Sequence, residues 1–375
     1  MINAWLNSKS GWRDAVLVLV TLIGLAGFEK AALIVYTTPL GRYPAMMLEV
    51  MRSAVRNPGN AGYYERLFRG TGEVAPDPRY IHDNSFRVYR LRPNLEQKVT
   101  GWTTNSFGLI GRECSLHRPP HTRRVALLGD SITAGFGLDD PNRTFGGLLE
   151  DRLNATKAMP ERLEILNFAV TGYHLTQILD VTAEDVPRFE PDVYMLALTE
   201  LSVFRNWDEH LVQLIQLGID PKYDFLRETV RRAGVSRKDD SVLMYAKLAP
   251  FRLPVLRELL GEMKSHADHA HAPFLVLLVP TAEEGDLSKK RFDGIPELLA
   301  LRHIRFIDLL DTFDNIADMD AFRISSTDVH PNERGHAMIF ENLYAKLRAR
   351  PDAWADLVGE SAVREATDVN RRAAF

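Results

Sequence analysis

The chain has 375 residues, which is too long for one compact α/β sandwich and predicts about two regions with extensions. Its hydrophobic content of 45% and charged content of 26% are those of an ordinary globular protein. The net charge of −4 gives no electrostatic basis for binding nucleic acid, and the single cysteine, Cys114, excludes an internal disulfide bond.

An apolar segment near the N-terminus predicts a membrane anchor within residues 1–36. Residues 15–28 contain no charged side chain, and after two charged residues the apolar pattern resumes at 31–36. One helix of about twenty residues is long enough to cross a bilayer of about 30 Å. Trp12 and Tyr36 suit the two membrane interfaces. A cleaved signal peptide and a buried soluble helix are the alternatives to an uncleaved anchor.

Residues 37–121 predict a stalk followed by a small β extension. Several prolines break up the first half, so a helical segment near 45–55 leads into loops. Residues 86–92 alternate between two faces in the manner of a strand. The extension either forms a cap that narrows access to a site near Ser131 or covers an edge of the sheet. The second interpretation is favoured.

The most informative segment lies at residues 125–137. Four apolar residues at 125–128 predict a buried strand, Gly129-Asp130-Ser131 ends it with turn residues, and a helical pattern follows. A serine at a sharp turn from strand to helix exposes its hydroxyl above the sheet, beside helix N-terminal amides. This predicts that Ser131 is a nucleophile, with a structural turn or a phosphate-binding loop as the alternative.

The region from 122 to 350 predicts a parallel sheet. Strands are predicted at 125–128, 163–168, 193–198, 274–279 and 304–309, and helices near 144–154, 175–185, 254–265 and 295–301. Apolar strands that alternate with helices favour a parallel sheet covered on both faces. Ser131, Gly172 and Thr199 all follow predicted strands, and ligands of such sheets bind at the carboxyl ends of strands.

The stretch at 201–254 is an insertion in this pattern and is rich in aromatic and charged residues. Its aromatic side chains either line a groove beside the site or anchor an inserted helical hairpin, and the second interpretation is favoured. The charged, alanine-rich tail at 351–375 predicts one short helix that then frays.

Residues 266–271 read His-Ala-Asp-His-Ala-His and resemble a metal-binding cluster in composition. They follow a helical pattern and precede a predicted strand, so a solvated connector explains them better. No metal site is therefore predicted.

A second segment, at residues 326–336, supplies an acid and a base. It reads Ser-Thr-Asp-Val-His-Pro-Asn-Glu-Arg-Gly-His, and a helical pattern follows at 337–348. A serine nucleophile needs a base to take its proton and a carboxylate to orient that base, and His330 and Asp328 supply both. A capped turn with a surface histidine is the alternative for this segment alone.

These segments together resemble the SGNH or GDSL hydrolase family. Gly-Asp-Ser at 129–131 is similar to its first block, His-Pro-Asn-x-x-Gly-His at 330–336 to its last, and Asn-Phe-Ala-Val-Thr-Gly at 167–172 to its second. The resemblance implies a flavodoxin-like three-layer α/β/α sandwich, a Ser131–His330–Asp328 triad, and acyl-ester chemistry without metal or cofactor. It also implies an oxyanion hole of the Ser131 and Gly172 amides, with the Thr199 hydroxyl.

Two departures from the family pattern affect the site. The third block is normally Gly-x-Asn-Asp, but residues 197–200 read Ala-Leu-Thr-Glu, so Thr199 replaces an asparagine that donates to the oxyanion. The family aspartate usually lies three residues before the histidine, where this chain has Thr327, and Asp328 lies only two before. The sequence therefore leaves open a fully active, a weakened and a retired site.

The expected function is a membrane-anchored serine esterase that acts through an acyl-enzyme on acyl esters of envelope glycan or lipid. An O-acyltransferase of envelope polysaccharide, and a retired domain that binds glycan or a membrane protein, are the alternatives. A dinucleotide enzyme is disfavoured because the Gly-x-Gly-x-x-Gly register is missing. Resemblance to family members with such a leader implies one pass through a bacterial inner membrane and a periplasmic catalytic domain.

Overall fold

The computed structural model of the chain describes residues 79–95, 103–156, 161–205, 207–283, 285–326 and 328–359. The predicted anchor at 1–36, the stalk helix near 45–55, Thr327 and the end of the tail lie outside these ranges. In the described ranges no helix combines the length and apolarity needed to span a membrane. Residues 239–250 belong to a different compact unit from the other described residues.

The strands of the described residues form three sheets. In chain order they are β1 (Tyr80–His82), β2 (Tyr89–Leu91), β3 (Thr122–Leu128), β4 (Arg162–Asn167), β5 (Val193–Thr199), β6 (Phe274–Val279), β7 (Arg305–Asp308), β8 (Arg323–Ser325) and β9 (Asp328–Pro331). Strands β3 to β7 form a parallel sheet in the order β4-β3-β5-β6-β7, whereas β1–β2 and β8–β9 are antiparallel pairs. This is the strand order of a flavodoxin-like doubly wound sheet.

Helices cover both faces of the parallel sheet. The α-helices of the described residues are α1 (Ser131–Ala134), α2 (Phe145–Thr156), α3 (Leu175–Glu184), α4 (Glu209–Leu217), α5 (Asp224–Ala233), α6 (Ser241–Leu248), α7 (Arg252–His269), α8 (Gly285–Arg291), α9 (Ile295–Leu301), α10 (Glu333–Ala349) and α11 (Pro351–Val358). Helices α2 and α10 pack together on one face, where Phe145 and Ile339 share a core with Leu127, Met195 and Leu277. Helices α3 and α7 pack together, and right-handed crossovers put them on the other face.

The predicted parallel α/β sheet is confirmed, because every residue of β5 and β6 is buried, as expected for strands covered on both faces. All five predicted strands are present. The predicted strand at 86–92 is wrong in extent, because only Tyr89–Leu91 pairs with β1. Val88 adopts a positive φ of 68°, which breaks the alternation before the strand begins.

Two further boundaries differ from the sequence prediction. Helix α10 begins at Glu333 rather than near residue 337, because the Asn332 side chain caps it by accepting from the amides of Arg334 and Gly335. His336 therefore lies within the helix rather than before it. The insertion at 201–254 contains the π-helix Leu201–Arg205 and helices α4 to α6.

Candidate active site

Ser131 is the first residue of α1, immediately after β3. The Asp130 side chain caps this short helix by accepting from the Ile132 amide at 3.1 Å. A Cβ at position 129 would overlap the side chain of Thr133, so the glycine there allows the tight turn. The turn holds Ser131 at the carboxyl end of the sheet with only 5% of the residue exposed.

A chain of hydrogen bonds joins the three residues of the predicted triad. Ser131 Oγ lies 2.8 Å from His330 Nε2, and His330 Nδ1 lies 2.6 Å from Asp328 Oδ1. A carboxylate only accepts, so Nδ1 donates to Asp328 and Nε2 is left to accept from the serine hydroxyl. This tautomer is the one a general base needs.

Asp328 reaches His330 because both lie on strand β9. Residues two apart on a strand point to the same face, so the short spacing brings the carboxylate to the imidazole without a turn. The same Oδ1 atom also accepts from the backbone N–H of His330 at 3.0 Å. Burial opposes ionisation of Asp328, but the hydrogen bonds that it accepts from the side chain and backbone of His330 lower the pKa of its carboxyl below the usual value. The ring of Phe136 packs 4.9 Å from the imidazole, between ring centroids.

Gly172 lies at the same edge of the sheet as Ser131. Strands β3 and β4 pair with Leu127 opposite Asn167, and the Asn167 side chain donates to the Thr133 carbonyl of α1 at 2.9 Å. Gly172 follows β4 with a φ of 79°, a conformation that favours glycine. Within the described ranges, the backbone amides of Ser131 and Gly172 donate to no protein acceptor.

Thr199 is buried at the end of β5, and its hydroxyl donates to Oδ2 of Asp130. The Ser202 hydroxyl lies 3.5 Å from the same oxygen. Burial raises the pKa of Asp130 above its usual value, against the opposing effect of the Thr199 hydrogen bond. The hydroxyl of Thr199 is thus engaged by a neighbouring acidic side chain.

A charged pair that was not predicted from the sequence lies two residues beyond Gly172. His174 Nε2 lies 3.3 Å from Glu209 Oε2, and His174 Nδ1 lies 3.2 Å from Gln177 Oε1. The Gln177 amide is oriented by its donation to the Arg87 carbonyl at 2.8 Å, so both imidazole nitrogens face acceptors. This favours a doubly protonated ring. Burial acts to lower the pKa of His174, but the hydrogen bond and charge of Glu209 and the hydrogen bond to Gln177 together raise that pKa above its usual value. The one sequence signal for this arrangement is the three-residue spacing from His174 to Gln177, which is typical of a capping box at the start of a helix.

The histidines at 266–271 fall at the end of α7 and just beyond it. His269 Nδ1 lies 2.6 Å from the Ser265 carbonyl, and Asp268 pairs with Lys264. Among the residues that the structure describes, no three metal-binding side chains are grouped so as to hold an ion.

Comparison with known proteins identifies a family for the region that contains this site. The family of GDSL-like lipases and acylhydrolases matches residues 127–338, which is more than half of the chain and extends from the end of β3 into α10. No curated relative matches the chain.

Solved structures that resemble the chain include three esterases or lipases. A catalytic mutant of Axe2, an acetylxylan esterase from Geobacillus stearothermophilus, is 14% identical, with a TM-score of 0.42 over 60% of this chain and 93% of that one. The psychrotrophic esterase EstA from Pseudoalteromonas sp. is 13% identical, with a TM-score of 0.39 over 60% and 97%. A lipase/acylhydrolase from Enterococcus faecalis is 16% identical, with a TM-score of 0.40 over 61% and 96%. The family match from 127 to 338 establishes that the chain belongs to the GDSL-like lipase/acylhydrolase family.

Proposed function

We propose that the protein is a serine ester hydrolase with Ser131 as nucleophile, His330 as general base and Asp328 as the residue that orients the base. The observation that carries the proposal is the continuous hydrogen-bond chain from Ser131 Oγ through His330 to Asp328. The tautomer it favours leaves Nε2 free to take the serine proton.

The reaction has two halves. Ser131 Oγ attacks the ester carbonyl while His330 takes its proton, and the tetrahedral intermediate collapses as His330 returns that proton to the departing alcohol. Water then attacks the acyl-enzyme with the same proton transfers and releases the acid. The amides of Ser131 and Gly172 stabilise the negative oxygen in both halves. Because the Thr199 hydroxyl is bonded to Asp130, the oxyanion hole is proposed to consist of these two backbone donors.

The proposed substrate is an acyl ester of envelope glycan or lipid, and the proposed location is the periplasmic side of a bacterial inner membrane. This part of the proposal rests on the apolar segment at 15–36, which has the length of a single-pass anchor. A catalytic domain anchored at the membrane has its highest local concentration of ester substrates among envelope polymers and lipids, which is why these are proposed rather than soluble metabolites.

The test is fluorophosphonate labelling of the full-length protein, with turnover of p-nitrophenyl acetate as the second readout. We expect Ser131→Ala to abolish labelling and to lower kcat at least about 10³-fold. Ser265→Ala, a serine of α7, is the matched control and is expected to label and turn over like the parent.

A folded parent protein that neither labels nor turns over would contradict the hydrolase proposal and would favour a retired, glycan-binding domain. Labelling without release of free acid, and with acyl groups recovered on an added sugar, would favour an O-acyltransferase instead. Both outcomes are read from the same samples by mass spectrometry.

A further inference from the structure

The ribbon of β1 and β2 precedes the family-matched region and packs against the segment that carries Gly172. Tyr89, on β2, donates from its hydroxyl to the backbone carbonyl of Thr171 at 3.1 Å. A Cβ built on Gly172 would lie 2.8 Å from that hydroxyl oxygen. The hydroxyl therefore lies directly against the residue whose amide is proposed to bind the oxyanion.

The contact acts on one peptide group. The Thr171 carbonyl and the Gly172 N–H belong to the same peptide unit, which is planar and trans, so the two bonds point in opposite directions. Any group that fixes the direction of the carbonyl therefore fixes the direction of the amide. A hydrogen bond accepted by the carbonyl also polarises the unit and strengthens the amide as a donor.

Tyr89 is itself held firmly against this segment. The Tyr173 hydroxyl donates to the Tyr89 carbonyl at 2.5 Å, and the two rings pack edge to face with centroids 5.2 Å apart. Two residues earlier, Arg87 forms ion pairs with Asp180 of α3 at 2.6 Å and with Asp185 at 2.5 Å. These bonds join the ribbon to the loop and helix that follow β4, so the hydroxyl is placed by rigid partners.

A second part of the N-terminal region meets the same strand. The Asn105 side chain accepts from the amides of Phe107 and Leu109 and shapes a tight loop. That loop presents Ile110, which pairs in antiparallel fashion with Asn167 at the end of β4. The segment after β4 is therefore supported by residues of the N-terminal extension at two places.

We propose that Tyr89 is a positioning residue that aims the Gly172 amide at the oxyanion, so that the N-terminal extension completes the catalytic site of the family domain. The inference rests on the proposed function, because it assigns a role in the same oxyanion hole. Tyr89 itself touches no reacting atom, and its effect passes through the peptide between Thr171 and Gly172.

The test compares Tyr89→Phe with Tyr80→Phe in the full-length protein. The first variant keeps the ring and loses only the hydroxyl, and the second removes a hydroxyl from the other strand of the same ribbon. We expect Tyr89→Phe to lower kcat about tenfold, less than the loss of a whole oxyanion donor, with KM changed less than about twofold. Tyr80→Phe is expected to keep the kcat of the parent.

A readout independent of turnover is the ¹⁵N–¹H spectrum of protein labelled on glycine, in which the Gly172 peak is assigned by its loss in Gly172→Ala. Tyr89→Phe is expected to shift this peak and Tyr80→Phe to leave it in place. A kcat within twofold of the parent, or an unmoved Gly172 peak, would overturn the inference. A parent that does not label with fluorophosphonate would instead overturn the proposed function, and the positioning role with it.

Discussion

The hydroxyl of Thr199 donates to the carboxylate of Asp130, the residue that immediately precedes the candidate nucleophile. The sequence resemblance assigned this hydroxyl to the oxyanion hole in place of an asparagine amide. In the structure this hydroxyl bonds to a buried acid at the base of the turn. An uncompensated buried acid is costly, so the bond is expected to matter for stability more than for transition-state binding.

Thr199→Val tests this assignment, because valine keeps the shape and removes the hydroxyl. We expect the free energy of unfolding to fall by about 1–3 kcal/mol as Asp130 loses a partner. We expect kcat to fall less than about tenfold, whereas loss of an oxyanion donor costs about 10²–10³. Urea unfolding and p-nitrophenyl acetate kinetics give the two values.

Thr229→Val is the matched control for that experiment. Thr229 is also buried, but its hydroxyl bonds to the Phe225 carbonyl within its own helix, so its loss leaves no unpaired acid. A hundredfold loss of kcat in Thr199→Val with unchanged stability would show that the hydroxyl does serve the oxyanion.

Asp328→Asn is expected to lower kcat about 10³–10⁴-fold, because an amide does not hold the imidazole in the required tautomer or stabilise its protonated form. The backbone N–H of His330 keeps an acceptor in the amide oxygen, so the strand is expected to fold normally. Asp293→Asn, an exposed acid, serves as control. A kcat within tenfold of the parent would mean that the Asp328 carboxylate stabilises the hairpin but does not take part in catalysis.

Gly172→Ala is expected to lower kcat at least tenfold, because the added Cβ meets the Tyr89 hydroxyl and moves the peptide that carries the oxyanion donor. Gly234→Ala is a close control. Gly234 also has a positive φ, of 63°, but a Cβ there would meet no atom within 4 Å. Alanine at either position costs roughly 1–2 kcal/mol of backbone strain, so the two variants should lose similar stability. Only Gly172→Ala should also lose kcat. Equal effects of the two on kcat would contradict the prediction.

Two buried histidines predict how stability depends on pH. His210 accepts from Thr176 and contacts the Phe86 carbonyl through its two nitrogens, which suits the neutral ring. Burial lowers the pKa of His210 to about 3 and likewise lowers the pKa of His336 to about 3. Below the unfolded-state value of about 6.5, the unfolded chain therefore binds protons that the folded chain does not.

The contribution of His210 and His336 to the free energy of unfolding is accordingly greatest above about pH 6.5, and it falls as the pH is lowered, by up to about 1.4 kcal/mol per pH unit for each histidine. Urea unfolding at pH 7, 6 and 5 measures this slope. His336→Gln, which keeps an acceptor for the Phe145 amide, should halve the histidine part of the slope. A stability that is flat over this range would contradict the prediction.

The centre of the sheet was predictable because strands β5 and β6 are almost entirely apolar. Strand β6 has the predicted bounds, since burial on both faces gives an unbroken apolar run that ends where the chain turns. The strand at 86–92 was not predictable in extent, because Val88 has a positive φ that a β-branched residue rarely adopts, and only residues 89–91 pair with β1. Alternation in sequence alone does not carry that information.

The candidate site was predictable where local turn chemistry marks it, as at Ser131 and in the segment with Asp328 and His330. The partner of the Thr199 hydroxyl was not, because it depends on how the ends of β3 and β5 meet in space. The pair of His174 and Glu209 was missed for a similar reason, since 35 residues separate them. Neither of these two interactions leaves a period or motif in the sequence.

The candidate nucleophile and its base are 199 residues apart in the chain, and base and acid share one hairpin near the C-terminal end of the described residues. During synthesis the serine therefore leaves the ribosome long before the histidine. At about 5–20 residues per second the interval is on the order of 10–40 s. Throughout that time the hydroxyl lacks its proposed base. We therefore expect a nascent chain to show little esterase activity until the hairpin that carries His330 and Asp328 has docked.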